Sequence, residues 1–183
     1  MFADLLTTMF HESPIAIDAS FLFTIALLAI TFRRGRDRAL ALGSMLVGVL
    51  WMTGALWVFD VRLNFLNMVA FPITFGIGVE YGVNFVKRFA EERERCGDAR
   101  LAARVALEGA GGAVILCSLT TLIGYVSLYA SANRALNSFG LAMSIGEITC
   151  LAASLLALPV LLHVFDRAPA TARATADRKE ALA

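Results

Sequence analysis

The sequence is poor in the residues that carry most enzymatic and metal chemistry. It contains 2 histidines and 3 cysteines in 183 residues, and Cys96, Cys117 and Cys150 show neither CxxC nor Cys/His spacing. This scarcity argues against a metal site or a disulfide framework. HExxH, GxSxG and Walker A sequences are missing too, so no enzymatic activity is expected. The net charge of +1 says little about partners, and no nucleic-acid partner is expected.

Charged residues are scarce as well, and apolar ones dominate. Charged residues make up 17% of the chain against 58% hydrophobic residues, and the mean hydropathy is +0.72. These values indicate an all-α polytopic membrane protein with its transmembrane domain over residues 15–165. Five apolar stretches match the roughly 20 residues with which an α-helix crosses the hydrocarbon layer. The predicted transmembrane helices span residues 15–32, 39–59, 63–86, 109–130 and 136–165.

Three polar segments flank or interrupt these helices. Residues 1–14 are predicted to be an external segment, and residues 166–183 a disordered cytoplasmic tail, because the tail has no apolar periodicity. The longest internal polar stretch joins helices three and four. There, leucines and a valine alternate with charged residues after Asp98, which predicts a short cytoplasmic amphipathic helix that Asp98 caps. A solvated linker helix is the alternative interpretation.

The basic residues indicate how the helices are oriented. Of the 16 lysines and arginines, 14 follow helices one, three and five, and positive residues are retained on the cytoplasmic side. The N-terminus is therefore expected outside and the C-terminus inside. An outside start without any basic residue suggests that the chain is the tail end of a larger protein whose preceding part crosses the membrane.

Helix three carries the most informative residue, Glu80, in the segment FPITFGIGVEYGVNFVKR. A carboxylate in a spanning helix is costly unless it faces a polar interior, finds partners or takes up a proton, so it indicates a functional site. Burial disfavours its charged form, whereas hydroxyl or amide donors favour it. A carboxyl balanced in this way can load and release a proton. The alternative is a permanently protonated packing residue.

The surroundings of Glu80 on helix three are small and polar. Helical spacing places Gly76, Glu80 and Asn84 on one stripe, and Asn84 is expected to belong to the proton relay with Glu80. Gly76, Gly78 and Gly82 are predicted to let a neighbouring helix approach closely. Pro72 is predicted to kink the helix near its midpoint.

Helices four and five supply further polar side chains. Those of helix four fall on two rows and can hydrogen-bond a carboxyl in either protonation state, although hydroxyls are also common interhelical contacts in membrane bundles. Helix five holds a second carboxylate, Glu147, roughly 17 Å from the outer end of its helix, whereas Glu80 lies roughly 24 Å down its own. A direct pair is therefore not expected; Glu147 is either a second station on one polar path or faces an external vestibule. The candidate partners of Glu80 are Ser118, Thr120, Thr121, Tyr125 and Glu147.

Three segments follow one another in the chain: GIGVEYGVNFVKRFAEE, a polar stretch, and EGAGGAVILCSLTTLIGYVSLYAS. This order of segments resembles the resistance-nodulation-division (RND) superfamily, and within it the branch called mycobacterial membrane protein large (MMPL). The resemblance covers residues 64–162. It implies the last five helices of a six-helix half, here the C-terminal half, in a bacterial inner membrane. It also implies proton-driven export of lipids or other hydrophobic cargo, with Glu80 and its neighbour Tyr81 in the proton relay, and protons, not a bound cofactor, as the coupling species.

The expected partners are membrane lipids, the cargo, and the missing N-terminal half or another copy of a half. Two positions depart from the family pattern, because Glu80 replaces the usual Asp and Tyr125 stands where Phe is frequent. The helix-five sequence SFGLAMSIGEITCLAASLLALPVLL resembles the hopanoid transporter subgroup, which implies a sterol-like polycyclic lipid as cargo. Two other functions stay open: a non-transporting lipid-binding or scaffold domain similar to sterol-sensing domains, and a Sec-type protein-translocation motor subunit.

Overall fold

The computed structural model of the protein describes residues 2–61 and 64–162, and no strand occurs within them. All five predicted helices are present, and each is long and apolar enough to cross a membrane. The fifth continues through a π-helical turn, Ala153–Ala157, to residue 162. The predicted all-α polytopic fold is therefore confirmed. The helices are α1 Phe2–Thr31, α2 Gly35–Val58, α3 Phe65–Cys96, α4 Ala99–Tyr129 and α5 Arg134–Ala152.

Side-chain caps set the starts of three helices. The carboxamide oxygens of Asn64 and Asn133 accept backbone N–H groups of the first turns of α3 and α5 at 2.9 and 3.0 Å. Asp98 does the same for α4 at 2.9 Å, so its predicted capping role is confirmed. These bonds satisfy N–H groups that have no partner inside the helix. Gly97 adopts the left-handed conformation (φ 71°) at the end of α3, where only glycine is free of strain.

The predicted separate amphipathic helix is wrong. The polar stretch is helical, but α3 continues to Cys96 and α4 begins at Ala99, so the Gly97–Asp98 turn is the only break. Nothing after that turn interrupts the backbone hydrogen bonds, and the amphipathic residues form the first turns of α4. An Arg104–Glu108 ion pair of 3.0 Å spans one of these turns.

One further boundary differs from the prediction, and another lies outside the described residues. The segment predicted to be external, residues 1–14, is helical from Phe2 because α1 starts there. Its single Pro14 lies inside the helix. The predicted tail 166–183 and the end of helix five lie outside the described residues.

Helix α3 is the centre of the bundle and packs against α1, α2, α4 and α5. Close approach depends on two of its glycines. A Cβ atom at Gly82 would lie 2.8 Å from Ser44 Oγ, and one at Gly78 would lie 3.1 Å from Met45 Cγ, both on α2. The prediction is correct for these two. A Cβ atom at Gly76 would meet no atom of the described residues within 4 Å apart from its own neighbours in α3, because Gly76 faces the open side of α3; close approach of another helix there stays a prediction.

Pro72 and Pro159, inside the third and fifth spanning helices, lie near irregular hydrogen bonding. Helix α3 is continuous through Pro72, whose carbonyl accepts a hydrogen bond from Ser20 Oγ of α1 at 3.5 Å. The kink predicted there stays a prediction. In the fifth helix, the π-helical turn Ala153–Ala157 ends two residues before Pro159, which has no N–H to donate. Such turns often mark functional positions in helices.

Candidate functional site

The open face of α3 separates two grooves. Glu80 and Asn84 are exposed along this face and line both grooves. The groove toward α4 has a volume of about 520 Å³, and the groove toward α1, which Gly76 also lines, about 360 Å³. Glu80 thus stands on a ridge, with one groove on each side.

The groove toward α4 becomes charged at one end. Beyond Asn84 it is lined by Lys87, Arg88 and Glu91 of α3. Sequence reasoning missed these residues, although the spacing 80, 84, 87, 91 continues the stripe of Glu80 at helical intervals. The small residues Ala110 and Ala113 of α4 form the opposite wall and leave the groove wide. The groove therefore joins Glu80 to the charged end of the bundle.

An ion-pair network fixes this charged end. Arg88 Nη2 lies 2.9 Å from Glu92 Oε1, and Arg88 Nη1 lies 3.5 Å from Glu91 Oε2. Arg95 also contacts Glu92, at 3.7 Å. Glu92 is 5% exposed, so its charge needs these arginines, since an unpaired buried carboxylate is strongly destabilising.

The carboxylate of Glu80 makes no hydrogen bond or ion pair within residues 2–61 and 64–162. This differs from the hypothesis that hydroxyl groups of α4 bind it. The Thr120 and Thr121 hydroxyls both donate to the carbonyl of Cys117, at 2.7 and 3.0 Å. Threonine hydroxyls in helices commonly donate to a carbonyl three or four residues back, and spacing alone cannot distinguish that bond from one to a neighbouring helix. The role of these threonines in proton transfer stays a prediction.

Tyr81, the residue after Glu80, points inward instead. Tyr81 is 3% exposed, and its hydroxyl donates a hydrogen bond to Oε1 of Glu147 on α5. Ser118 of α4 is buried and lies close enough to the Tyr81 hydroxyl to interact with it. The structure therefore brings together three of the predicted residues from three helices.

The position of Glu147 corrects one of the two interpretations drawn from sequence. Glu147 is 0% exposed, so it does not face an external vestibule. The Tyr81 hydroxyl reaches Glu147 because a tyrosine side chain is long and leans toward the N-terminus of its helix. Counting residues along each helix axis ignores this reach of the side chain. Tyr125, the remaining predicted partner, is half-buried in α4 and packs with an apolar cluster.

The described residues contain no group of three or more His, Cys, Asp or Glu side chains that could hold a metal ion. What the site offers is two carboxyl groups in unlike surroundings. Glu80 faces open grooves, and Glu147 is sealed between helices. Such a site can bind and release a proton at one carboxyl while the other stays inside the packing.

Fold and site together define a helical, multi-pass membrane protein built around a glycine-rich central helix with an acidic residue. The MMPL family model matches residues 1–181, and the chain belongs to the MMPL family. The predicted family is therefore confirmed.

Three curated proteins illustrate the similarity. The chain is 26% identical over 143 residues to a putative membrane protein of Methanocaldococcus jannaschii, covering 78% of this chain and 37% of that protein. It is 31% identical over 136 residues to the hopanoid transporter HpnN of Rhodopseudomonas palustris, covering 74% and 15%. It is 31% identical over 126 residues to the NPC intracellular cholesterol transporter 1 homolog 1b of Drosophila melanogaster, covering 68% and 10%. The chain thus spans less than two fifths of the length of each.

Proposed function

We propose that the chain is a membrane half of a proton-driven exporter of lipids, in which Glu80 binds the coupling proton. The observation that carries this proposal is the placement of Glu80 in the middle of α3, exposed to a groove that continues past Asn84 to Lys87. A carboxyl group at membrane depth needs a polar route if it is to exchange protons. The groove supplies one.

The uncovered polar face of α3 also supports the proposal that the chain packs against a partner protein in the membrane. In lipid, an exposed carboxylate and carboxamide would be strongly unfavourable, so polar residues in spanning helices face protein or a water-filled cavity. Glu80, Asn84 and Gly76 share this uncovered face. We infer that a second membrane half, either a different one or another copy, packs against it and encloses the grooves.

The proposed cargo is a polycyclic lipid such as a hopanoid. Two of the similar proteins are named as transporters of hopanoids and of cholesterol, which are rigid fused-ring lipids. The groove between α1 and α3 suits an apolar molecule, because Phe23, Leu27 and Val79 line it. Aromatic and branched side chains of this kind are typical of lipid-binding grooves.

We further propose that the chain lies in a bacterial inner membrane with its N-terminus outside and its C-terminus in the cytoplasm. The junction of α3 and α4 supports this orientation, since its basic residues cluster at one end of the bundle. The charged end of the Glu80 groove would then open to the cytoplasm. A proton bound at Glu80 from the outer side would leave by this groove.

Proton flux tests the proposal. The chain is purified with any partner it retains, reconstituted in liposomes that contain a pH-sensitive dye, and exposed to a proton gradient. Glu80→Gln should abolish flux because the amide cannot bind the proton, and Glu80→Asp should retain part of it. Glu94→Gln is the matched control, since Glu94 is exposed on α3 and lines a different groove. Full flux in Glu80→Gln would overturn the proposal.

Two observations favour a second candidate, a lipid-binding domain that does not transport. The similarity to a cholesterol transporter homologue and the apolar groove toward α1 fit lipid binding without proton transfer. Binding of a fluorescent sterol that is unchanged by pH and by Glu80→Gln, with no proton flux, would favour this candidate over the exporter.

A further inference from the structure

Glu147 is buried and accepts a hydrogen bond, whereas Glu80 is exposed to the grooves. It is 0% exposed, and the side chains of Met143 and Cys150 on the same helix are buried beside it. One carboxyl oxygen, Oε1, accepts the hydrogen bond from Tyr81. The other, Oε2, is buried and has no hydrogen-bond partner within the described residues. A buried oxygen in this position calls for a specific explanation.

The groups that face Glu147 carry no positive charge. The titratable side chains close to it are Tyr81 of α3, Tyr125 of α4 and Cys150 of α5, and all three are neutral in their ordinary protonated form. Residues 39–58 of α2 contain no ionisable side chain, and α1 packs against α3 and α2. The ion pairs of the described residues do not include Glu147.

An ionised Glu147 would therefore be a sealed charge with one neutral donor and no counter-ion. Low dielectric surroundings strongly disfavour such a charge, and the group becomes neutral by taking up a proton. A neutral carboxyl keeps the acceptor oxygen that the Tyr81 hydroxyl uses. Its second oxygen then carries a proton, so no charge is left without a partner.

We propose that Glu147 stays protonated and is a positioning residue, a neutral acceptor that pins Tyr81 and thereby orients Glu80 toward the open grooves. Successive residues of an α-helix point about 100° apart. Once Tyr81 is held inward against α5, Glu80 points about 100° around the α3 axis from it, toward the grooves that it lines. Ser118 lies beside Tyr81 on the α4 side. The link to proton transfer rests on the proposed function, whereas the neutral state of Glu147 does not.

Infrared spectroscopy of the reconstituted chain tests the neutral state directly. Between about pH 5 and pH 9, we expect a carboxylic acid C=O band that does not change with pH and that disappears in Glu147→Gln. In Tyr81→Phe the band should move to higher frequency, because the carbonyl oxygen loses its hydrogen bond. A Glu147 band that is lost as the pH rises, or no acid band that Glu147→Gln removes, would overturn the proposal.

Proton flux tests the positioning role. Glu147→Gln keeps an uncharged acceptor oxygen for Tyr81, so flux should stay within about twofold of wild type. Tyr81→Phe removes the hydrogen bond and should lower flux about fivefold or more, as expected for one bond that holds a reactive group in place. Flux in Glu147→Gln as low as in Glu80→Gln would make Glu147 a proton carrier and overturn the proposal. A wild type without flux would instead contradict the proposed function and leave the infrared result standing.

Discussion

The contact between α4 and α5 at Gly140 should not tolerate a single added methyl group. A Cβ atom there would lie 2.6 Å from Tyr129 N and 2.7 Å from Tyr125 O. Both are backbone atoms of α4, so no flexible side chain can move aside and the two helices must separate. Gly140→Ala is therefore expected to destabilise the bundle.

The magnitude follows from two opposing effects. Overpacking costs about 1–3 kcal/mol, and the upper value applies because backbone must move. Alanine is favoured over glycine inside a helix by about 1 kcal/mol, which offsets part of that cost. The net loss is about 2 kcal/mol. Gly124→Ala on α4 is the matched control, since a Cβ there would meet no atom of residues 2–61 and 64–162 within 4 Å apart from its own neighbours in α4, and it should be neutral or stabilising by up to about 1 kcal/mol.

Unfolding in mixed detergent micelles measures the difference. The two tryptophans, Trp51 and Trp57, report unfolding by fluorescence as the fraction of denaturing detergent rises. We expect the free energy of unfolding of Gly140→Ala to fall about 2–3 kcal/mol below that of Gly124→Ala. Equal stability of the two variants would refute the close packing of α4 on α5.

Two further predictions concern the junction of α3 and α4. Cys96 is exposed at the end of α3. In sealed right-side-out vesicles, a membrane-impermeant maleimide should label Cys96 only after the vesicles are permeabilised, and Cys96→Ser is the control. Labelling of Cys96 in intact vesicles would contradict the proposed orientation. Asp98→Ala should lower the free energy of unfolding by about 1 kcal/mol through loss of the α4 cap, whereas Asp98→Asn, which keeps an acceptor oxygen, should change it little; equal losses in the two variants would show that the side-chain bond is not what matters.

The sequence alone predicted the architecture well because lipid leaves the backbone few choices. Apolar length and the requirement for internal hydrogen bonds specify spanning helices, and the Asp98 cap was visible as a local pattern. The prediction of a separate amphipathic helix was wrong because periodicity shows that residues 101–107 are helical but does not show whether the helix is interrupted after them.

The site was only partly predictable for a related reason. Helical spacing correctly grouped Gly76, Glu80 and Asn84 on one face. It could not show whether that face is covered, and Gly76 proved to be open. The contact between Tyr81 and Glu147 depends on side-chain reach between two helices, which residue counts along each helix do not contain.

The central claim is that Glu80 gains and loses a proton. Infrared difference spectra of the chain, recorded as the pH is changed between about pH 5 and pH 9, measure this most directly. We predict a carboxylic acid band that decreases as the pH rises, that is absent in Glu80→Gln, and that persists in the control Glu94→Gln. A difference spectrum that is identical in wild type and Glu80→Gln would contradict the account.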